Sequence, residues 1–562
     1  MNTGKFERFS EINIIMKWAV PNGSVLGFPF LVALLITADV FCSMSSDSDS
    51  DSESPPPSST SSPEVKVLVQ TRFGYVRGVQ SKTKNGNSVE YFKGIPYADK
   101  PERLKKSILV HRWNNAYDAS AYKKRCIGIV RPVNASVSSE DCLYLNIVRP
   151  AGITNLDRIP VVIFIHGGGF VEGSGYDPSL ESFAEKFVPQ NLLIVTIQYR
   201  LAMSGFLSLG CSSPLIPCNI GLWDQLTAFR FSLKILKDLN CNITSQEQIL
   251  DCINHTSLDD MYTAQIDTHL WPNFGDELLP DIPQRIVNNT KDQRLMAGIM
   301  TLESLYFTYL KSSPEIFPYI HRETVQEYIN TSIAMHYGVD STNAFNMASG
   351  YFLSSNVSDD DYSYFMWQRT RIESNQIFDI PVLRELYHKR DHSKDIYFYY
   401  FPYFNDAEFD KDFPVKATYH CHEFPYVWDI YKDNRYQMNA DDHLVSEFFD
   451  NRYQMNADDH LVSEFFVGAL VNFIKSGNPS NSNYTWPRID SELSYTVIKP
   501  KPATDKNYFK ADYDFWDRMA RTFQYDLITG LPVETISTTS GSPSTFSSLL
   551  ILPLSLIIIF NA

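Results

Sequence analysis

Three glycines in succession, Gly167, Gly168 and Gly169, follow His166 directly after the apolar run Val161–Ile165. A glycine run after a buried strand lets backbone amides approach a bound group closely, because no Cβ stands in the way. Two such N–H groups aimed at one point can hold an oxygen that becomes negative during a reaction. The same stretch can equally be a glycine-rich turn without chemistry. A second candidate group is His420, Cys421 and His422. Adjacent residues rarely converge on one tetrahedral ion, so neither a metal nor another cofactor is expected there.

Composition narrows what these residues could serve. The 562 residues carry a formal net charge of −16 with no run rich in Lys or Arg, which disfavours nucleic acid as a partner. Eight cysteines in so long a chain suit a core-stabilised protein with a few disulfides. Val161 to Ile165 reads as a strand buried on both faces, and residues 192–198 read the same way. Residues 65–79 alternate as a strand pair would, and Gly94-Ile95-Pro96-Tyr97-Ala98 reads as a turn. Strands alternating with helical patterns imply an α/β architecture.

The two ends point to export. Lys17 precedes an apolar run at 25–38 that Asp39 interrupts, so residues 1–43 read as a signal-peptide region rather than a membrane span. Residues 44–64 are acidic, Ser-rich and Pro-rich, the composition of a disordered linker. Residues 534–562 run from a Ser/Thr-rich stalk into a short apolar tail, the pattern of a GPI-attachment signal. A cell-surface or extracellular address with a lipid anchor follows. In the body of the chain, seven N-x-S/T sequons, at Asn134, Asn242, Asn254, Asn288, Asn330, Asn356 and Asn483, agree with passage through the secretory pathway.

Four stretches together, YFKGIPYA at 91–98, SEDCLYLNI at 139–147, IFIHGGGF at 163–170 and NIGLWDQ at 219–225, resemble the type-B carboxylesterase and cholinesterase family. The resemblance implies an α/β-hydrolase fold over residues 65–533, with a mostly parallel central sheet and helices on both faces. It also implies hydrolysis of carboxylic esters by a Ser-His-acid triad. Residues 298–307 are similar to the segment carrying the acid, which makes Glu303 the candidate, with Ser304 where the family has glycine. Residues 419–426 are similar to the segment carrying the general base, which makes His420 the imidazole and Glu423 a supporting carboxylate. Gly168 and Gly169 would then donate to the oxyanion. The resemblance further implies disulfides joining Cys126 to Cys142 and Cys241 to Cys252; Cys211 and Cys218 are close enough to pair, and Cys421 is left over. No tryptophan lies between Trp113 and Trp223, where cholinesterases carry one that stacks on a quaternary ammonium. A small uncharged ester is therefore the expected substrate.

The nucleophile is missing. No G-x-S-x-G occurs in the chain: Ser174 has Glu172 two residues before it, and Ser208 has Phe206. Leu226, Phe229, Leu233, Leu236 and Leu239 keep helical spacing straight toward Cys241, so a deletion near 226–240 removes the family's elbow strand, serine and following helix. Residues 433–449 recur unchanged as 450–466, and only the second copy leads into the expected helix. Three readings remain. One is a carboxylesterase-lineage product that is inactive as written. The second is a non-catalytic, neuroligin-like adhesion or binding ectodomain with a protein partner, and the third a defective exon assembly or pseudogene product. Loss of the scaffold along with the serine favours the first or third, because a binding domain would still need the strand.

Overall fold

The computed structural model describes residues 65–129, 134–152, 159–176, 179–207, 211, 216–236, 272, 274–279, 294–310, 312–390, 395–428, 455–533 and 556–560. Of two compact units, Met1–Met44 and Ser45–Ala562, the described residues all belong to the second.

Short loops dictate the first part of the fold. β1 (Val65–Thr71) and β2 (Gly74–Lys82) are joined by two residues, and such a connection can only make antiparallel neighbours. β3 (Ser88–Pro96) and β4 (Tyr144–Pro150) extend the antiparallel set. Gly94 lies inside β3, not in a turn as its sequence suggested. The register shifts between Phe92 and Ile95, and Gly94 adopts a φ of 70° there, the left-handed conformation of a bulge.

Two more strands, β5 (Val161–Ile165) and β6 (Leu193–Ile197), pair in parallel because helix α1 (Leu180–Lys186) crosses between them. The sheet order is β1-β2-β3-β4-β6-β5, and the far edge of β5 is taken by the C-terminal strand Leu556–Phe560, antiparallel, with Leu556 opposite Ile165 and Phe560 opposite Val161. A separate four-stranded sheet contains β7 (Leu295–Met300), β8 (Ile396–Phe401), β9 (Tyr495–Val497) and β10 (Ala503–Asp505), in that order; the C-terminal strand is accordingly β11. β7, β8 and β9 are parallel. The α/β class holds, but in place of one mostly parallel sheet there are two mixed ones. The parallel pairs occur where helices intervene, and no described strand bridges β5 to β7.

A shared core couples the two sheets. Val161, Ile163 and Ile165 face one apolar cluster, with Phe206, Ala228 and Phe231. Val162 and Phe164 face another, which also holds Met300, Tyr397, Phe401, Tyr426 and Phe466 from the second sheet and its helices. Helix α2 (Ile220–Leu236) packs Phe231 on Phe73 at 4.7 Å and is fixed at its start by a buried bidentate pair, Arg200 with Asp224 at 2.6 and 2.7 Å. The helix ends just before residue 237, inside the expected deletion. Helix α3 (Ala457–Ser476) begins within the second copy of the duplicated segment, capped by the Asn456 side chain on the amides of Asp458 and Asp459, and stops at Gly477, whose φ is 74°. The first copy lies outside the described residues.

The expected disulfide Cys126–Cys142 is formed, and Cys211–Cys218 is formed as well. Cys241 and Cys252 lie outside the described residues. Among the described residues no helix is long and apolar enough to cross a membrane.

The edge of β5 gives a test. A chain ending after Val533 would leave that edge unpaired, and each buried backbone group without a partner costs about 1 to 3 kcal/mol. Relative to the full chain, the truncated form is expected to melt several degrees lower or to self-associate through the open edge. Thermal unfolding and light scattering on both forms would show it.

Candidate active site

Two loops 117 residues apart in sequence are zipped together behind β7 and β8. The Leu302 amide donates to Thr418 O at 2.9 Å, the Thr301 amide to Thr418 Oγ1 at 2.8 Å, and the His420 amide to Glu303 O at 3.1 Å. Ser304 sits at φ −75°, ψ −3°, so it needs none of glycine's freedom, and its amide donates to Ser374 Oγ. This framework orients Glu303. Its Oε1 accepts from the Met300 amide at 2.9 Å, which leaves Oε2 to His420 Nδ1, also at 2.9 Å.

The imidazole is enclosed but reachable. Phe378 and Phe307 stand 4.9 and 5.6 Å from its ring, and 17% of the side chain remains exposed. Burial disfavours the charged ring, yet the neighbouring Cys421 and Glu303 side chains outweigh it and hold the His420 pKa well above its ordinary value. An imidazole oriented by a carboxylate in this way is able to take and return a proton. Among the described residues no serine hydroxyl is hydrogen-bonded to it.

Two further carboxyl groups belong to this neighbourhood. Burial, then the Glu303 charge, raises Glu423 to about 7, and its Oε2 is buried without a hydrogen-bond partner. Asp379 is 1% exposed, both of its carboxyl oxygens lack partners, and burial followed by Glu303 pushes its pKa well upward. Asp379 was not legible in the sequence; it lies in the π-helical segment Asn375–Asp379 next to Phe378, and no local motif marks it. His422 does not join the site: its Nε2 meets Glu408 Oε2 at 2.6 Å in the core. No group of three or more ligating side chains able to hold a metal exists among the described residues.

The glycine turn follows β5. Gly168 and Gly169 have φ values of 110° and 55°, and a Cβ on Gly168 would lie 2.3 Å from Glu172 O, so only glycine fits. Among the described residues neither amide N–H has an acceptor. His166 beneath it is neutral, its pKa lowered to about 4 by burial, with Nδ1 on Gly167 O at 2.8 Å and the ring stacked on Tyr199. Ser174 is fully buried and accepts from Gln198 Nε2 at 3.0 Å, a structural role. Glu303 and His420 are therefore brought into contact, while no bond links the glycine turn to them. Asn134, Asn330, Asn356 and Asn483 are all exposed, as glycan attachment requires, and the remaining sequons lie outside the described residues.

Comparison with known proteins adds four findings. The carboxylesterase family model matches residues 65–232 and 230–516, two segments that meet inside α2. Gut esterase 1 of Caenorhabditis briggsae is 23% identical over 555 residues, covering 82% of this chain and 94% of that protein; 82% of 562 is about 461, so about 94 aligned positions have no residue here. Bile salt-activated lipase of Bos taurus is 38% identical over 164 residues, 28% of this chain and 27% of the lipase. A solved PNB esterase structure superposes with a TM-score of 0.60 at 18% identity, covering 80% of this chain and 99% of the other.

The electrostatics of the pair can be measured. Since a charge-assisted hydrogen bond is worth roughly 1.5 to 3 kcal/mol, Glu303→Gln should lower the His420 pKa by about one to two pH units, read by NMR titration. Because the folded-state pKa of His420 is raised, its contribution to stability is fully present below its unfolded pKa, about 6.5, and lost as pH climbs through the raised value. Glu423 has the opposite chemical character but the same slope. Its folded pKa of about 7 exceeds its unfolded value, so stability falls as pH rises between them, and Glu423→Gln should melt higher than the parent at pH 8 but not at pH 4.5.

Proposed function

The chain belongs to the carboxylesterase family, and from that premise we propose that it carries the acid–base half of a serine esterase, Glu303 and His420, but lacks the nucleophile and does not turn over esters by acyl-serine chemistry as it stands. The observation that carries the reading is the Glu303–His420 hydrogen bond at 2.9 Å in a chain with no G-x-S-x-G. In the complete arrangement the imidazole takes the serine proton as the hydroxyl attacks the ester carbonyl, then gives it to the departing alcohol. Glu303 would stabilise the imidazolium, and the amides of Gly168 and Gly169 would hold the oxyanion. Glu423 would support the pair.

Several features support a missing element rather than a remodelled site. The sheet is interrupted between β5 and β7, the family match divides within α2, and the aligned esterase has about 94 positions without a counterpart. The orphaned carboxyl oxygens of Glu423 and Asp379 fit the removal of whatever once packed against them. An uncharged carboxylic ester is the substrate class of the complete form. We further propose export, glycosylation at the seven sequons and lipid anchoring at the C-terminal tail. Anchoring competes with β11, because GPI transfer removes the segment that pairs with β5.

A serine-directed fluorophosphonate should leave the purified chain unlabelled, and turnover of short-chain aryl esters should stay within about tenfold of a His420→Gln variant, because removing a general base costs an active serine esterase far more. A stoichiometric adduct on any serine refutes the reading. Transcripts spanning Gln225 to Cys241 that restore a strand, a G-x-S-x-G and a helix would assign the esterase activity to that longer product. Release from cells by a phosphatidylinositol-specific phospholipase supports the anchor, whereas a C-terminal peptide ending at Ala562 rejects it.

A further inference from the structure

The first sheet has a second edge, at β1. This strand ends the strand order, and among the described residues no strand pairs with its outer side. None of its seven residues is buried, and Leu68 is 55% exposed. The pairing with β2 runs unbroken from Val65 opposite Gln80 to Thr71 opposite Gly74, so no bulge turns the edge away. The strand contains no proline, and Lys66 is its one charged residue. A regular, mostly apolar edge of this length is a template for another strand, because its outward N–H and C=O groups lack a ladder partner.

The sequence of β1 selects what can pair there. Laid antiparallel against a second copy of itself and centred on Leu68, VKVLVQT sets Leu68 opposite Leu68, Val67 opposite Val69, Lys66 opposite Gln70 and Val65 opposite Thr71. All seven residues are then paired and no like charges meet, whereas a centre on Lys66 would oppose two ammonium groups. Both members of each pair also keep the same face of the sheet, because the side-chain period is two. On one face Val67 and Val69 pack against the apolar cluster that β5 shares. On the other, Tyr75 lies opposite Gln70 and is 45% exposed, which extends the apolar strip begun by Leu68.

Charge agrees with a second copy as the occupant. Residues 65–125, which hold β1 to β3 and the loop that follows them, carry fourteen Lys or Arg and four Asp or Glu in a chain of net charge −16. Residues 44–64 carry five acidic residues and no basic one. Pairing centred on Leu68 brings Glu64 of one copy level with Arg72 of the other. The acidic stretch of each copy is thereby directed toward the basic hairpin of its partner, an arrangement of opposite charges that fixes register.

We propose that β1 is a dimerisation edge: two copies of this chain join through antiparallel β1 strands about a two-fold axis at Leu68, and the first sheet runs continuously through both. The contact is isologous and uses one edge from each copy, so association stops at two. The proposal is independent of ester chemistry and of the lipid anchor.

The test measures the mass of the purified full chain by sedimentation equilibrium. The parent is expected to reach the mass of two chains as concentration rises. Leu68→Lys sets two ammonium groups face to face at the axis and should weaken dimerisation about 100-fold or more. The melting temperature should be kept when parent and variant are both monomeric, because the side chain is exposed. Leu68→Cys should give an intermolecular disulfide on mild oxidation, since residue 68 meets itself, whereas Val67→Cys alone should not, since it meets Val69. Mixing Val67→Cys with Val69→Cys should restore the cross-link. A parent that stays monomeric, a species larger than two chains, a dimer unchanged by Leu68→Lys, or equal cross-linking in Leu68→Cys and Val67→Cys each overturns the proposal.

Discussion

A strand buried on both faces needs its backbone groups satisfied along both edges, and β5 is where this requirement governs the molecule. Val161 to Ile165 are each 5% exposed or less. One edge is closed by β6, and the other is closed by β11, drawn from the far end of the chain. Water cannot stand in for a partner in such an interior, so an unfilled edge would be costly. Placing β11 there closes the first sheet and leaves β7 as the start of a second.

The two sheets nevertheless behave as one folded body because side chains, not ladder hydrogen bonds, join them. Alternation along β5 sends Val162 and Phe164 into the same cluster as Met300 and Phe401, so apolar burial continues across the interruption. The zipped loops after β7 and β8 are held by the second sheet, by each other through Thr418, Leu302 and the Glu303–His420 contacts, and by Ser374 and Phe378. None of these contacts involves β5, so the Glu303–His420 hydrogen bond stands apart from the edge that β11 fills. Both carboxyl oxygens of Asp379 and Oε2 of Glu423, by contrast, are buried without partners.

Ionisable groups cluster in this corner. Glu303 is bonded to the imidazole and supports a protonated ring, while burial drives Asp379 and Glu423 toward the neutral form. The family comparison explains the pair's ancestry.

Much was legible in residues alone. Continuous apolar runs marked β5 and β6 because burial on both faces leaves no polar positions, and the glycine turn, Glu303 and His420 were recognisable from long motifs. The missing G-x-S-x-G and the repeated segment were visible only as sequence, since they concern what the chain contains. Tertiary structure decided the rest. The Gly94 segment proved to be a bulge because its register is set by β4 across the sheet, and the C-terminal tail became a strand because β5 offered an edge. The places of Asp379, Phe307 and Phe378 beside the pair were invisible for one physical reason: each depends on which distant segments meet, and neither periodicity nor spacing encodes a contact made through the core.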